Sequence, residues 1–334
     1  MIKVSVIIPV YGVEQYIEKC ARSIFEQSYS NLEILFINDC TLDNSIQIVQ
    51  QLLVKYPARK NQVKIFTQDK NRGVAAARQK GMESISGDYC IQLDSDDYIA
   101  PTMIEELVQA AEKENADVVM CDYYLVSNNI ETHVYTNPDL NPINCVKQFL
   151  RGKLHAALWN KLVRVRLYRD HHIQFTEGLN MREDLGVMYR LLYFAKKIAY
   201  ISKPFYYYLV RAGSISFGIM NEKQQRNAQQ LIEQMNNFFI DESIQDQDLL
   251  DALFHFKAQI KSTILLYGNT RELREDLYKG VSFYHYYSHP KIILLLKAIG
   301  MLSCMGFIPL VNGFRRMYHS LSKLKRKLRK RCNH

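Results

Sequence analysis

The first 121 residues alternate short apolar runs with amphipathic stretches, at a spacing few architectures accommodate. Residues 4–10, 32–38, 63–67, 89–93 and 118–121 read as strands, and 13–27, 45–55, 74–85 and 102–114 as helices. Such alternation predicts an α/β fold built on an open, mostly parallel sheet flanked by helices. Ligands of such sheets sit beyond the carboxyl ends of strands, at a switch in strand order. The polar loops fall there: Pro9-Val10-Tyr11, Asn38-Asp39, Asp69 to Gly73, and Asp94 to Asp97.

The fourth loop carries most of the chemistry. The apolar run 89–93 ends in Asp94-Ser95-Asp96-Asp97. Side chains alternate along an extended segment, so Asp94 and Asp96 can point the same way with Ser95 between them. Two anions so close repel unless a cation separates them, and a hard divalent ion does this best. A solvated acidic turn is the plainer alternative. An EF-hand loop fails, because Ile99 stands where its sharp turn needs Gly.

The other loops allow two readings each. Asp39 can accept hydrogen bonds from a base edge or serve a turn. Asn71-Arg72-Gly73 opens an Ala-rich helix whose N-terminus favours anions, and Arg78 on that helix can pair with a phosphate or with the acidic loop. No G-x-G-x-x-G follows the first strand and no Walker sequence is present, so a bound nucleotide must be gripped by side chains and a metal.

Further along, Trp159-Asn160-Lys161-Leu162 holds the only tryptophan. Glu183-Asp184 heads an amphipathic helix, where acids also complement the dipole. Arg211-Ala212-Gly213-Ser214 reads as an anion-binding turn or a surface loop. His155, His171 and His172 lack metal-ligand spacing. Residues 222–276 read as packing helices, with Leu231, Met235, Phe238 and Phe239 at helical spacing.

Charge divides the chain. Twelve of its 43 Lys/Arg lie from Leu277 onward, where no Asp/Glu occurs, leaving 31 basic against 34 acidic residues before it. Residues 292–311 are apolar but broken by Lys297, Gly300, Gly306 and Pro309, and borderline for a membrane span. Phe314, Met317, Leu321, Leu324 and Leu328 then form a helical stripe among basic residues, which suits an anionic membrane surface better than nucleic acid. Seven scattered cysteines and a strand-like N-terminus without a signal peptide place the expected location in the cytoplasm, peripherally on the inner face of the membrane.

Taken together, the motifs at 6–11, 36–45, 71–78, 92–97, 159–162, 183–184 and 211–216 resemble glycosyltransferase family 2, over about residues 1–220. The resemblance implies a GT-A Rossmann-like sheet; beyond it, the residues read as a helical extension (221–289) and a basic membrane-surface tail (290–334). It also implies an inverting, metal-dependent transferase of bacterial polysaccharide synthesis, moving a sugar from a nucleotide-sugar to a glycan or lipid-linked acceptor. Pro9, Tyr11 and Asp39 would line the nucleoside pocket, with UDP-sugars favoured, and Asn71, Gly73 and Arg78 would border it. Asp94 would meet the ribose or sugar, Ser95 beside it would belong to the donor-binding residues, and Asp96 would ligate Mn2+ or Mg2+. Asp184, beside Glu183, would be the general base, and Arg211 and Ser214 would close over the diphosphate. Asn38 and Cys40 depart from the family's usual Asp and Gly. A sugar-nucleotide nucleotidyltransferase and a non-catalytic nucleotide-sugar-binding protein are the alternatives.

Overall fold

A computed structural model describes residues 1–128, 130–210, 221–268, 272–288 and 294–305, with 311 and 313. The chain divides into two compact units, residues 1–149 with 154–216 and residues 150–153 with 217–334.

In the first unit β1 (Val4–Val10), β2 (Leu32–Asn38), β3 (Val63–Thr67) and β4 (Tyr89–Gln92) alternate with α1 (Ile17–Phe25), α2 (Ser45–Leu53) and α3 (Val74–Ser84). Then come β5 (Tyr98–Ile99), α4 (Met103–Glu114), β6 (Val118–Ser127), β7 (Ile130–Val134) and α5 (Pro142–Leu150). The unit continues through β8 (Lys161–Arg164), α6 (Val165–Asp170), α7 (Glu183–Phe194) and β9 (Ile198–Leu209). One sheet runs in the order β3-β2-β1-β4-β8-β6-β9-β5, with β7 beside β6. β1 to β4, β6 and β9 share one direction, and β5, β7 and β8 oppose it.

β1, β2 and β4 are largely apolar and buried along their length because both faces of this part of the sheet are covered. Val4, Val6 and Ile8 of β1 join Ile17 and Ile24 of α1 and Leu107 of α4 in the main core. Each such buried side chain contributes about 1.5–3 kcal/mol. On the other face α3 comes very close: a Cβ at Gly81 would lie 2.4 Å from Ile7 Cγ2. One buried charge clips the central strands. Glu33 on β2 accepts from Ser5 Oγ, Lys64 Nζ and the Ser86 amide, each at 2.8 Å.

Two departures from the sequence reading have local causes. The helix expected from residue 13 starts at Ile17, because the preceding backbone is engaged in a loop contact: the Gly12 amide donates to Thr41 Oγ1 and the Glu14 amide to Asp43 Oδ2, both at 2.9 Å. The strand expected over 118–121 continues to Ser127 and pairs with β7 in a hairpin.

The second unit comprises α8 (Glu222–Asp241), α9 (Gln247–Tyr267), α10 (Phe283–Ser288) and α11 (Leu294–Cys304). Asn221 and Gln224 form a reciprocal capping box at the head of α8, whose Leu231, Met235 and Phe239 are buried. Among the described residues, no helix is long and apolar enough to cross a membrane. The basic stripe expected over 314–331 lies outside the described residues.

Candidate active site

Strand order switches at β1, with β2 on one side and β4 on the other. A cavity of about 800 Å³ there is lined by Pro9, Tyr11, Asp39, Asn71, Gly73, Asp94, Ser95, Asp96, Glu183 and Asp184. Ten residues expected at the site, spread over 176 positions, therefore share one space. Arg78 is not among the lining residues, and Arg211 and Ser214 lie outside the described residues.

Asp39 builds part of this wall. Gln68 Nε2 donates to its Oδ1 at 2.7 Å, and the Arg72 and Gly73 amides donate to its two oxygens at 2.8 Å each. The carboxylate thus pins the Asn71-Arg72-Gly73 loop as well as facing the cavity. Gly73 has φ +89°, and a Cβ there would sit 2.2 Å from Asn180 Nδ2. Only glycine combines that backbone with that neighbour.

The acidic loop is held from two sides. Arg78 is 3% exposed. It donates to Asp94 Oδ1 at 2.6 Å and to Gln92 Oε1 at 3.1 Å, and its Nε lies 3.5 Å from Glu183 Oε1. Within the chain, it therefore pairs with the acidic loop. From β9, Tyr206 Oη donates to Asp97 Oδ2 at 2.6 Å and the Leu209 amide to Asp97 Oδ1 at 2.8 Å. Burial, then the Asp94 and Asp96 charges, push the Asp97 carboxyl well above the usual carboxylate range.

Glu183 and Asp184 occupy the first turn of α7, where Asp184 Oδ1 accepts from the Leu185 amide at 2.8 Å. Burial raises both carboxyls. Asp184's charge pushes Glu183 further, and Arg78 opposes the rise in each. A carboxyl tuned upward in a cleft suits proton abstraction near neutral pH.

The sequence reading missed several wall residues. Trp159, His155, Tyr208 and Asn180 line the cavity. Trp159 stacks on Tyr206 with ring centroids 4.2 Å apart, and so backs the strand that holds Asp97. Lys161 is fully buried, donating to Ala157 O at 2.6 Å and Asn160 Oδ1 at 2.8 Å, and burial lowers its ammonium to about 8. The Trp159-Asn160-Lys161-Leu162 motif and the Tyr206-Tyr207-Tyr208 run were the signals available for this wall.

The donor set fits a hard divalent cation. Asp94 and Asp96 line the cavity, and their charges add to burial in raising the Asp97 carboxyl behind them, a carboxylate-rich set that suits such an ion. In the second unit, Asp251, His255 and His285 offer atoms within 4.8 Å of one another. Those groups are also hydrogen-bonded within the unit. The Ser282 amide donates to His285 Nδ1 at 2.9 Å, which leaves the proton on Nε2, 3.3 Å from Asp251 Oδ1. Arg151 holds Asp251 Oδ2 at 3.0 Å.

Comparison with known proteins agrees with this geometry. EpsH of Bacillus subtilis (strain 168), a putative glycosyltransferase, is 31% identical over 64% of this chain and 62% of its own length. The glycosyltransferase GlyA of Streptococcus pneumoniae serotype 4 is 29% identical over 64% of this chain and 31% of its own length. The chain thus spans less than two thirds of either relative. Among solved structures, S. aureus TarS 1-349 in complex with UDP-GlcNAc matches with a TM-score of 0.70 at 19% identity, covering 95% of this chain and 92% of that one. A Pyrobaculum calidifontis mannosyltransferase in complex with GDP-Man and Mn2+ matches at 0.52 and 14% identity. These likenesses establish the GT-A fold. Residues 5–171, half of the chain, match the model described as glycosyl transferase family 2, and the chain belongs to that family.

Proposed function

We propose that this chain is an inverting glycosyltransferase, moving a sugar from a nucleotide-sugar to a hydroxyl of a glycan or lipid-linked acceptor in bacterial surface polysaccharide synthesis. The observation that carries this reading is the convergence of the Asp94–Asp97 loop and the Glu183-Asp184 pair on one cavity at the strand-order switch. A UDP-sugar donor is supported by TarS, solved with UDP-GlcNAc. Residues 1–220 would form the catalytic domain, with 221–289 as a helical extension and 290–334 as a basic tail on the anionic membrane surface.

Pro9, Tyr11 and Asp39 would border the nucleoside, and Asp94 the ribose or sugar. A sugar hydroxyl is a poor nucleophile, so Asp184 takes its proton as the oxygen attacks the anomeric carbon. Attack opposite the departing diphosphate inverts that centre. Arg78, beside Glu183, favours the charged form of the base against its burial. Asp96, with Asp94 beside it, would hold Mn2+ or Mg2+, and that ion when bound offsets the charge gathering on the diphosphate. Arg211 and Ser214 would close over the same group.

Incubation with a panel of nucleotide-sugars and Mn2+, measuring released nucleoside diphosphate, tests this reading. Slow hydrolysis of one donor class is expected even without acceptor. Pyrophosphate release from a nucleoside triphosphate and a sugar phosphate, or no reaction with any donor, would contradict it.

A further inference from the structure

Arg182 breaks two local rules at once. It is the N-cap of α7 with φ 69° and ψ 29°, in the left-handed region, and it makes no side-chain cap. A side chain bearing Cβ is strained in that backbone. Arginine also has no acceptor with which to cap a helix, and its positive charge opposes the positive end of the helix dipole. Asn or Gly would serve the fold better on both counts. Residues that violate local preferences are retained where function outweighs them.

The cavity supplies that function. Arg182 lines it, and it is the one arginine or lysine among the described lining residues, which include five carboxylates. It stands next in sequence to Glu183 and two residues before Asp184. A substrate oxyanion entering so acidic a space needs a cation on the wall, and a guanidinium recognises such a group with paired, directional hydrogen bonds.

We infer that Arg182 is the oxyanion-recognising residue of this cavity, binding a phosphate oxygen of the substrate. The phosphate belongs either to the donor's diphosphate or to a phosphorylated acceptor. The inference rests on the transferase reading and deepens it.

Two probes separate the sources: UDP with Mn2+ for the donor, and a hexose 1-phosphate added to UDP- and Mn2+-saturated protein for the acceptor. Calorimetry of the full-length wild type is compared with Arg182→Gly and Arg182→Lys. Loss of a charge-assisted contact should weaken one of the two probes by about 10- to 100-fold in Arg182→Gly. Arg182→Lys should recover part of that loss. The near- and far-UV circular dichroism of Arg182→Gly should match wild type, which separates lost recognition from lost folding. Weakened UDP binding assigns Arg182 to the donor, and weakened hexose 1-phosphate binding assigns it to the acceptor. Wild-type binding matched by Arg182→Gly for both probes would overturn the inference and leave the transferase reading standing. A wild type that binds neither probe would overturn both.

Discussion

Arg78 Nη2 donates to Asp94 Oδ1 at 2.6 Å, tying the middle of α3 to the acidic loop that follows β4. The same guanidinium reaches toward Glu183 on α7, so one buried cation serves both halves of the candidate active site. Arg78→Ala would leave Asp94 and Glu183 without their shared partner. A loss of about 3 kcal/mol in urea unfolding is expected, since removing one member of a buried pair strands the other. Turnover should fall at least ~100-fold, and Arg78→Lys should recover stability better than turnover because ammonium cannot bridge both acids. A stable, active Arg78→Ala would show that the two acids are positioned independently.

The Glu183-Asp184 pair predicts a displaced pH profile. Both carboxyls are raised, by burial first, and a base must be deprotonated to work. The acid limb of kcat/KM should therefore lie well above the ~4 of an ordinary carboxylate. Burial, not the charge of Glu183, raises Asp184, so Glu183→Gln should leave that limb raised. For stability the sign is opposite to the usual acid: a raised carboxyl favours the folded state at low pH, and this contribution is lost as pH rises through the folded pKa. A wild-type limb at or below ~4 would contradict the assignment.

Glu33 predicts the reverse. Burial alone would raise its carboxyl, but Lys64, the Ser86 amide and Ser5 outweigh burial and bring it to about 2. Its contribution is present above the unfolded pKa of ~4.3 and disappears as pH falls through the folded value. Glu33→Gln should cost about 3 kcal/mol in urea unfolding at pH 7 and little near pH 2. An equal cost at both pH values would show that packing, not charge, holds this clip.

The central strands of the sheet were readable because Val4–Val10 and Leu32–Asn38 are mostly apolar and buried, with Ser5 and Glu33 as their buried polar exceptions. The mixed part was not. β8 carries Lys161, a charge that denotes surface in most sequences and here is fully buried against Asn160 and the Ala157 carbonyl. β9 is interrupted by Ser202-Lys203-Pro204, and its register against β6 shifts beside them. In the site, Asp94, Asp96 and Asp184 announced themselves as carboxylates on loop and helix ends. The partners that set their charge did not. Tyr206 meets Asp97 across 109 positions of sequence, a contact that no local spacing encodes.

The central claim is that Asp184 is the base while the loop around Asp96 grips the donor, and the two roles separate by mutation. Turnover of the donor identified by the hydrolysis panel is measured beside donor affinity by calorimetry with Mn2+, for Asp184→Asn and Asp96→Ala. Asp184→Asn should bind donor within about threefold of wild type yet lose ~10³-fold or more in transfer. Asp96→Ala should lose the metal-dependent part of donor affinity. Transfer retained by Asp184→Asn would contradict the account.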